Sequence, residues 1–144
     1  MENNPFQSEP FQLQNSYEFI EAVKYEKLKE MEIYLRNPKL LYSFDYYRQT
    51  GFHWAAKKNN INAARLMIRF GNCVNLMDIN CMTPLAFAAK NNNYEMCQLL
   101  CQNGANPLIK NNEDKLPIDL TNEINIKAFL MNMGDNYSKI YSFN

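Results

Sequence analysis

A period of about 33 residues constrains this chain more than any other feature of its sequence. The segment Thr50–Ala56 reads T-G-F-H-W-A-A, and Thr83–Ala89, one period later, reads T-P-L-A-F-A-A. A further period reaches Leu116–Leu120, which reads L-P-I-D-L. Three more pairs keep the same spacing: Asp45 and Asp78, Asn59 and Asn92, and Gly71 and Gly104. Such self-similarity predicts a stack of repeated units that bury their apolar faces against one another.

The two matching segments, with their T-P-L-H-x-A-like start, resemble the beginning of an ankyrin repeat. The resemblance implies an all-α solenoid of about four helix-turn-helix units joined by hairpin loops. Stepping along the chain by the period gives the unit boundaries 12–44, 45–77, 78–110 and 111–133. The outer two units are atypical, as the terminal units of solenoids tend to be.

The two ends of the chain depart from the repeat pattern. The second helix of the last unit, around Ile126–Met133, is expected to be about a turn short. Residues 1–11 and 134–144 are predicted to be extended tails, because chain ends outside a packed unit rarely form regular elements. We expect their aromatic side chains to contact other proteins; these are Phe6, Phe11, Tyr137, Tyr141 and Phe143.

Local backbone requirements agree with the repeat. Asn59, Asn92 and Asn125 recur in phase at the turn between paired helices, and Asn tolerates the left-handed conformation better than most residues. Gly71 and Gly104 follow the second helix of their units, where glycine commonly ends a helix. The sequence therefore predicts a left-handed turn residue at each of the three asparagines.

Composition limits the classes of partner. The chain has 144 residues, with 15 basic and 15 acidic side chains, so its net charge is +0. Nucleic-acid and membrane-surface binders carry a basic excess. No apolar run approaches the ~20 residues of a membrane-spanning helix. Other proteins are therefore the expected partners, with no nucleic acid and no direct membrane span.

The expected location is the cytoplasm. The first residues, M-E-N-N-P, are unlike a signal or transit peptide, and the four cysteines have no disulfide-framework spacing. Asn, Lys, Ile, Tyr and Phe are abundant, and their codons consist mostly of A and T, which indicates an AT-rich genome such as that of a protist or a large virus. Within the cytoplasm, the cytoskeleton and cilia are candidate locations, and the alternative to the cytoplasm is the mitochondrion.

Candidate catalytic groups are few. His53 is the only histidine, and in the resemblance its position forms hydrogen bonds to the neighbouring unit. Cys97 and Cys101 share a helix face, but they map to core positions, and no C-x-x-C pair or nearby base accompanies them. Trp54 is expected between units, with a binding role as the alternative. The sequence predicts a non-catalytic protein with no cofactor, metal or small-molecule substrate.

The resemblance implies that a partner binds the hairpin tips and the groove behind them. The tip positions of the first two hairpins are unusually apolar and are predicted to contact a partner: Phe44, Tyr46, Tyr47, Gln49, Met77, Ile79 and Met82. The third tip is polar, with Lys110, Asn112, Glu113 and Lys115. Behind the tips, Lys57, Lys58 and Lys90 form a positive strip that favours an acidic segment.

Three functional hypotheses follow. The first is a small accessory or scaffold subunit of a large assembly, whose tips and tails bind different proteins. The second is a stand-alone regulator or inhibitor that binds one protein reversibly. The third, which has the least residue support, is a metal protein or enzyme that uses the cysteines.

Overall fold

The computed structural model describes residues 9–142, and side chains from residue 14 onward. Within this part of the chain, seven α-helices and two short 3-10 helices form the structure, with no strand beyond a single bridge between Phe44 and Thr50. The helices are α1 (Glu9–Lys24), α2 (Leu28–Tyr34), α3 (Gly51–Lys58), α4 (Ile61–Ile68), α5 (Pro84–Lys90), α6 (Tyr94–Gln102) and α7 (Ile124–Tyr141). The 3-10 helices are Pro38–Tyr42 and Pro117–Leu120. The predicted all-α solenoid is confirmed.

The first helices of successive repeats stack directly on one another. Helix α5 packs against α3, and α3 packs against α1. Ala55 and Ala56 in α3 are fully buried, as are Ala88 and Ala89 in α5, and side chains this small let the helix axes approach closely. Larger core side chains such as Phe52 fill the layer between the helices.

Each complete repeat turns from its first helix to its second through a left-handed residue. Asn59 has φ 55° and Asn92 has φ 58°, as predicted, and Glu26 has φ 52° at the corresponding turn of the first repeat. The prediction for Asn125 is wrong. This residue lies inside α7, which runs through the position where the other repeats turn between paired helices.

The two glycines of the second-helix ends serve different purposes. Gly104 has φ +91°, a conformation that L residues rarely adopt, so it ends its helix as predicted. Gly71 has no positive φ. A Cβ atom at Gly71 would lie 2.7 Å from Cδ2 of Leu41, so close packing is what this position requires.

Helix α7 includes most of the C-terminal segment that was predicted to be an extended tail. It runs without interruption for 18 residues, so the second helix of the last unit is longer than expected, not shorter. Gly134 is buried, and a Cβ atom there would make ordinary contact with Leu108 at 3.4 Å. The extended tail predicted from residue 134 is therefore wrong for residues 134–141, because Ile126, Leu130 and Gly134 continue one buried helix face.

The N-terminal tail is also shorter than predicted. Helix α1 begins at Glu9, so residues 9–11 belong to a helix. Phe11 lies in this helix, outside the residues whose side chains are described. Phe6 and Phe143, two of the predicted tail contacts, lie outside the described residues altogether.

No helix between residues 9 and 142 combines the length and the apolar character needed to cross a membrane.

Candidate functional site

Three hairpin loops project from the helices, and we name them finger one (residues 44–50), finger two (77–83) and finger three (110–116). Each is held by one acidic or amide side chain at its start. In finger one, Oδ1 of Asp45 accepts hydrogen bonds from the backbone N–H groups of Tyr47 (3.0 Å) and Gln49 (2.9 Å). The corresponding Oδ1 atoms of Asp78 and Asn111 make the same pair of bonds in their own fingers.

Backbone hydrogen bonds join the fingers to one another. The N–H of Ile79 donates to the carbonyl of Tyr47 at 3.0 Å, and the N–H of Asn112 donates to the carbonyl of Asn80 at 3.0 Å. Neighbouring fingers are thus fixed relative to each other by main-chain atoms. Their side chains are presented on a preorganised frame, which lowers the entropy lost on binding.

Exposed apolar side chains lie on fingers one and two. Tyr46 is 90% exposed, and Phe44 and Tyr47 are each more than half exposed. Met77 and Ile79 on finger two are about half exposed. The rings of Tyr46 and Tyr47 contact each other edge to face, with centroids 5.4 Å apart. These five predicted tip residues form one surface, which we call the finger surface.

Two of the predicted tip residues do not belong to this surface. Gln49 and Met82, at equivalent positions, are each only 7% exposed. Nε2 of Gln49 donates to Oδ2 of Asp78 at 3.0 Å, and Sδ of Met82 lies 3.5 Å from Nδ2 of Asn111. Both side chains turn inward and link their finger to the next, so their prediction as exposed partner contacts is wrong.

The predicted positive strip is shorter than expected. Lys57 is partly buried: its Nζ donates to Oε1 of Gln49 at 2.9 Å and lies 4.0 Å from the ring centroid of Trp54 and 5.3 Å from that of Phe87. Burial holds the pKa of Lys57 below its usual range, although Asp45 and Asp78 act in the opposite direction. Lys58 and Lys90 are exposed. Of the three predicted lysines, these two have exposed side chains.

The Trp54 ring on α3 contacts both finger one and α1. Its Nε1–H donates to Oδ2 of Asp45 at 2.9 Å, and Nζ of Lys24 lies 4.3 Å from the ring centroid. The ring is therefore bounded by two lysines and one carboxylate. Phe87 occupies the same position one repeat later, and its role was missed in the sequence although it lies one full period after Trp54.

His53 has the structural role that the resemblance implies. Its ring is fully buried, with Nδ1 accepting the N–H of Thr50 at 3.0 Å and Nε2 lying 2.8 Å from the carbonyl oxygen of Met82. Burial lowers the pKa of His53 below its ordinary value, which keeps the imidazole neutral.

The cysteines are free thiols, and most of them lie in the core. Burial raises the pKa of Cys73 to about 11 and the pKa of Cys97 and Cys101 to about 12. Groups of this pKa hold very little thiolate near neutral pH. Among residues 9–142, no group of three or more His, Cys, Asp or Glu side chains is placed to hold a metal ion.

Two depressions lie beside the fingers. One, of about 320 Å³, is mainly apolar and lies between α1 and finger one, where Tyr17, Ile20, Phe44 and Tyr46 line it. Tyr17 is 62% exposed and was not predicted as a surface residue of interest. The other, of about 350 Å³, lies between fingers two and three; its wall includes Phe87 and Lys90.

A second exposed apolar surface lies on α7, remote in the sequence from the fingers. Ile140 and Tyr141, on the last turn of the helix, are each more than 60% exposed. Ile124 and Met131 are also exposed, but they lie on another face of the helix, because seven residues bring the chain back to the same side and sixteen do not. Tyr137, a predicted tail contact, is partly buried, and its ring centroid lies 4.3 Å from that of Tyr141. We call the cluster of Tyr137, Ile140 and Tyr141 the α7 surface.

Comparison with known families agrees with the geometry. The family model described as ankyrin repeats in three copies matches residues 17–111, which is more than half of the chain. The chain belongs to the ankyrin-repeat family. Ankyrin repeats form a generally non-catalytic fold for protein–protein interaction, so this chain is a protein-interaction module of that family.

One similar protein is a homologue of the transient receptor potential cation channel subfamily A member 1 from Caenorhabditis elegans. It is 33% identical over 72 residues, which cover 49% of this ankyrin-repeat chain but 6% of the channel protein. The shared stretch is a small part of that relative, so the likeness concerns this stretch and not the activity of the channel.

Proposed function

We propose that this ankyrin-repeat chain is a small accessory or scaffold subunit that holds two protein partners at once. The observation that supports this is the presence of two separate exposed apolar surfaces on one small chain. The finger surface lies on loops of the second and third repeats, and the α7 surface lies on the last helix. A protein that binds one target needs only one of them.

The finger surface has the composition of a protein interface. Tyr and Met are enriched where proteins meet, and truncating a central aromatic anchor costs ~1–4 kcal/mol of binding free energy. The Asp45 and Asp78 hydrogen bonds keep the finger backbones in place without using the side chains of Tyr46 or Ile79. Those side chains are therefore available to a partner.

The α7 surface supports a second contact. Ile140 and Tyr141 lie on the last turns of α7, beyond the buried Gly134. Ile140 is 69% exposed to solvent and Tyr141 is 62% exposed. Exposed apolar side chains that cluster in this way mark interaction sites. A partner that covers them would also stabilise the end of the helix.

Affinity purification of the tagged full chain from its native cells tests the two-surface proposal. Two double variants are compared with the unmodified chain: Tyr46→Ser with Tyr47→Ser, and Ile140→Ser with Tyr141→Ser. We expect each variant to lose a different set of co-purified proteins. A Lys29→Ser variant, altered at an exposed lysine on α2, serves as the matched control and should retain both sets.

The alternative, a regulator that binds one target, predicts another result. Both double variants would then retain or lose the same single protein, and the scaffold proposal would be wrong. All four altered residues are exposed, so we expect the helices of each variant to remain intact, and circular dichroism checks this.

The proposal also places the protein in a reducing compartment such as the cytoplasm, because the four cysteines are free thiols.

A further inference from the structure

The chain contains a single Asn-Gly pair, Asn103–Gly104, at the end of α6. An asparagine side chain loses ammonia most readily when glycine follows it, because glycine has no side chain to hinder attack by its backbone nitrogen. One period earlier the corresponding pair is Phe70–Gly71, so this chemistry is confined to the third repeat. The pair thus places a reactive amide directly before an unhindered nucleophile.

The last carbonyl groups of α6 hold both reacting groups. Nδ2 of Asn103, the atom that leaves in the reaction, donates a hydrogen bond to the carbonyl oxygen of Leu99 at 2.8 Å. The N–H of Gly104, whose nitrogen is the nucleophile, donates to the carbonyl oxygen of Cys101 at 3.2 Å. Because both hydrogen bonds must break before the nitrogen can reach the side chain, the end of α6 has to open locally first.

The same turn joins the second and third repeats. Nδ2 of Asn75 donates to the carbonyl oxygen of Gly104 at 3.0 Å, and Oδ1 of Asn75 accepts the N–H of Asn106 at 2.7 Å. The N–H of Ala105 returns to the helix and donates to the carbonyl oxygen of Leu100 at 3.0 Å. A covalent change in this turn therefore disturbs the contact between two repeats as well as the end of one helix.

We propose that Asn103 is a site of spontaneous deamidation whose rate is controlled by the folding of the third repeat. The backbone nitrogen of Gly104 forms a bond to Cγ of Asn103, and the bond between Cγ and Nδ2 breaks. The proton of the nitrogen leaves with the amide group as ammonia. Water then opens the cyclic imide at either of its carbonyl groups, which yields aspartate or isoaspartate. This proposal does not depend on the proposed scaffold function.

Either product weakens the turn. An aspartate at position 103 carries its charge to the C-terminal end of α6, where the helix dipole is negative and the carbonyl oxygen of Leu99 has lost its donor. An isoaspartate routes the main chain through the side-chain carbon. It displaces Gly104 from its hydrogen bonds to Cys101 and Asn75. The modification is irreversible, and it makes further opening of the third repeat easier.

Mass spectrometry of the unmodified full chain tests the site and its control by folding. The chain is incubated in mildly alkaline buffer with and without denaturing urea, and the tryptic peptide 91–110 is sequenced. Asn106 is the matched control within that peptide, because Pro107 follows it and has no N–H. In urea, we expect Asn103 to react at least about tenfold faster than Asn106. Equal rates at the two asparagines would overturn the site.

The comparison of native and denaturing buffers tests the role of the fold. We expect Asn103 to react at least about tenfold more slowly in native buffer than in urea, because only the locally opened chain reacts. Equal rates in the two buffers would overturn the control by folding. The cyclic imide also predicts two product peptides of identical mass that separate on a reversed-phase column. A single product would indicate direct hydrolysis of the side chain and would overturn the proposed route.

Two substitutions on the same helix test the consequence. Asn103→Asp places the product carboxylate at the C-terminal end of α6, and Asn93→Asp places the same carboxylate at its N-cap. We expect Asn103→Asp to lower the ratio of folded to unfolded chain, measured by urea denaturation, about tenfold. Asn93→Asp should leave this ratio unchanged or raise it, because a negative charge is favourable at a helix N-terminus. Equal stability of the two variants would contradict the weakening of the turn.

Discussion

The Nε2 atom of His53 lies 2.8 Å from the carbonyl oxygen of Met82, which belongs to the following repeat. Because Nδ1 of the same ring accepts a hydrogen bond from the N–H of Thr50, the ring proton is on Nε2, and Nε2–H donates a hydrogen bond to that carbonyl. One neutral imidazole thus forms hydrogen bonds to a backbone N–H at the start of α3 in its own repeat and to a backbone carbonyl on finger two in the next. The single histidine of the chain thus joins two units, alongside the Gln49–Asp78 and Ile79–Tyr47 hydrogen bonds.

Replacing this ring should destabilise the fold. In His53→Ala, the Thr50 N–H and the Met82 carbonyl lose their partner inside the core, and each unsatisfied buried group costs about 1–3 kcal/mol. We expect the free energy of unfolding, measured by urea denaturation, to fall by about 2–4 kcal/mol. Lys58→Ala, at an exposed position, should change it by less than about 0.5 kcal/mol. A His53→Ala variant as stable as the Lys58→Ala variant would contradict the linking role.

Stability should also depend on pH through His53. Its folded-state pKa lies below the ordinary value of 6.5, chiefly because burial disfavours the imidazolium. Between the two values the unfolded chain binds more protons, so the free energy of unfolding is retained above about pH 6.5 and falls as the pH decreases below it. Thermal melts between about pH 7 and 5 should show a steeper loss of Tm for the unmodified chain than for His53→Gln, which has no titratable ring. Parallel curves would rule out His53 as the source.

Two glycines give opposite outcomes on conversion to alanine. Gly134 lies inside α7 and has room for a methyl group, so Gly134→Ala should stabilise the chain by about 0.5–1 kcal/mol. Gly104 has φ +91°, where a side chain is strained, so Gly104→Ala should destabilise it by about 1 kcal/mol. Urea denaturation distinguishes the two. A neutral result for Gly134→Ala, as in a tail that is not helical, would contradict the extent of α7.

The thiols should differ in reactivity. Cys81 is half-buried on finger two, whereas Cys97 and Cys101 lie in the core with pKa values raised to about 12. Brief alkylation with iodoacetamide followed by mass spectrometry should modify Cys81 first. Labelling of Cys97 or Cys101 at the same rate in native buffer would mean that the second helix of the third repeat opens readily.

The central repeats could be predicted because their local signals agree with each other. Four residues of the third repeat each specify one backbone feature: Thr83 and Pro84 begin α5, Asn92 makes the left-handed turn, and Gly104 ends α6. These features recur at the 33-residue spacing or fall at the expected helix ends. The last repeat has no such agreement. Gly134, Asp135 and Asn136 have the composition of a helix end, whereas Gly134 continues the buried face of Ile126 and Leu130, and the helix stays continuous. Tertiary contact outweighs local propensity there.

The candidate surface could be predicted only in part, for a related reason. The position of Tyr46 and Ile79 at the fingertips correctly identifies them as exposed. Gln49 and Met82, in contrast, each follow a left-handed residue, Arg48 or Cys81, and their side chains point inward. The partner of Gln49 is Asp78, which lies in the next repeat, and a contact so distant in the sequence has no local signature. Gln49 also accepts a hydrogen bond from Lys57, and one repeat later Met82 replaces it, so Lys90 has no corresponding amide oxygen.

Each finger owes its shape to an Asp or Asn side chain at its first turn and to main-chain bonds with its neighbour. The side chains carried between those anchors, such as those of Tyr46 and Tyr47, make none of these bonds. Their identity is consequently free to drift over evolutionary time while the frame stays constant. One finger can become aromatic and another charged by point substitution, and a chain of this kind can acquire a new partner without first having to acquire a new fold.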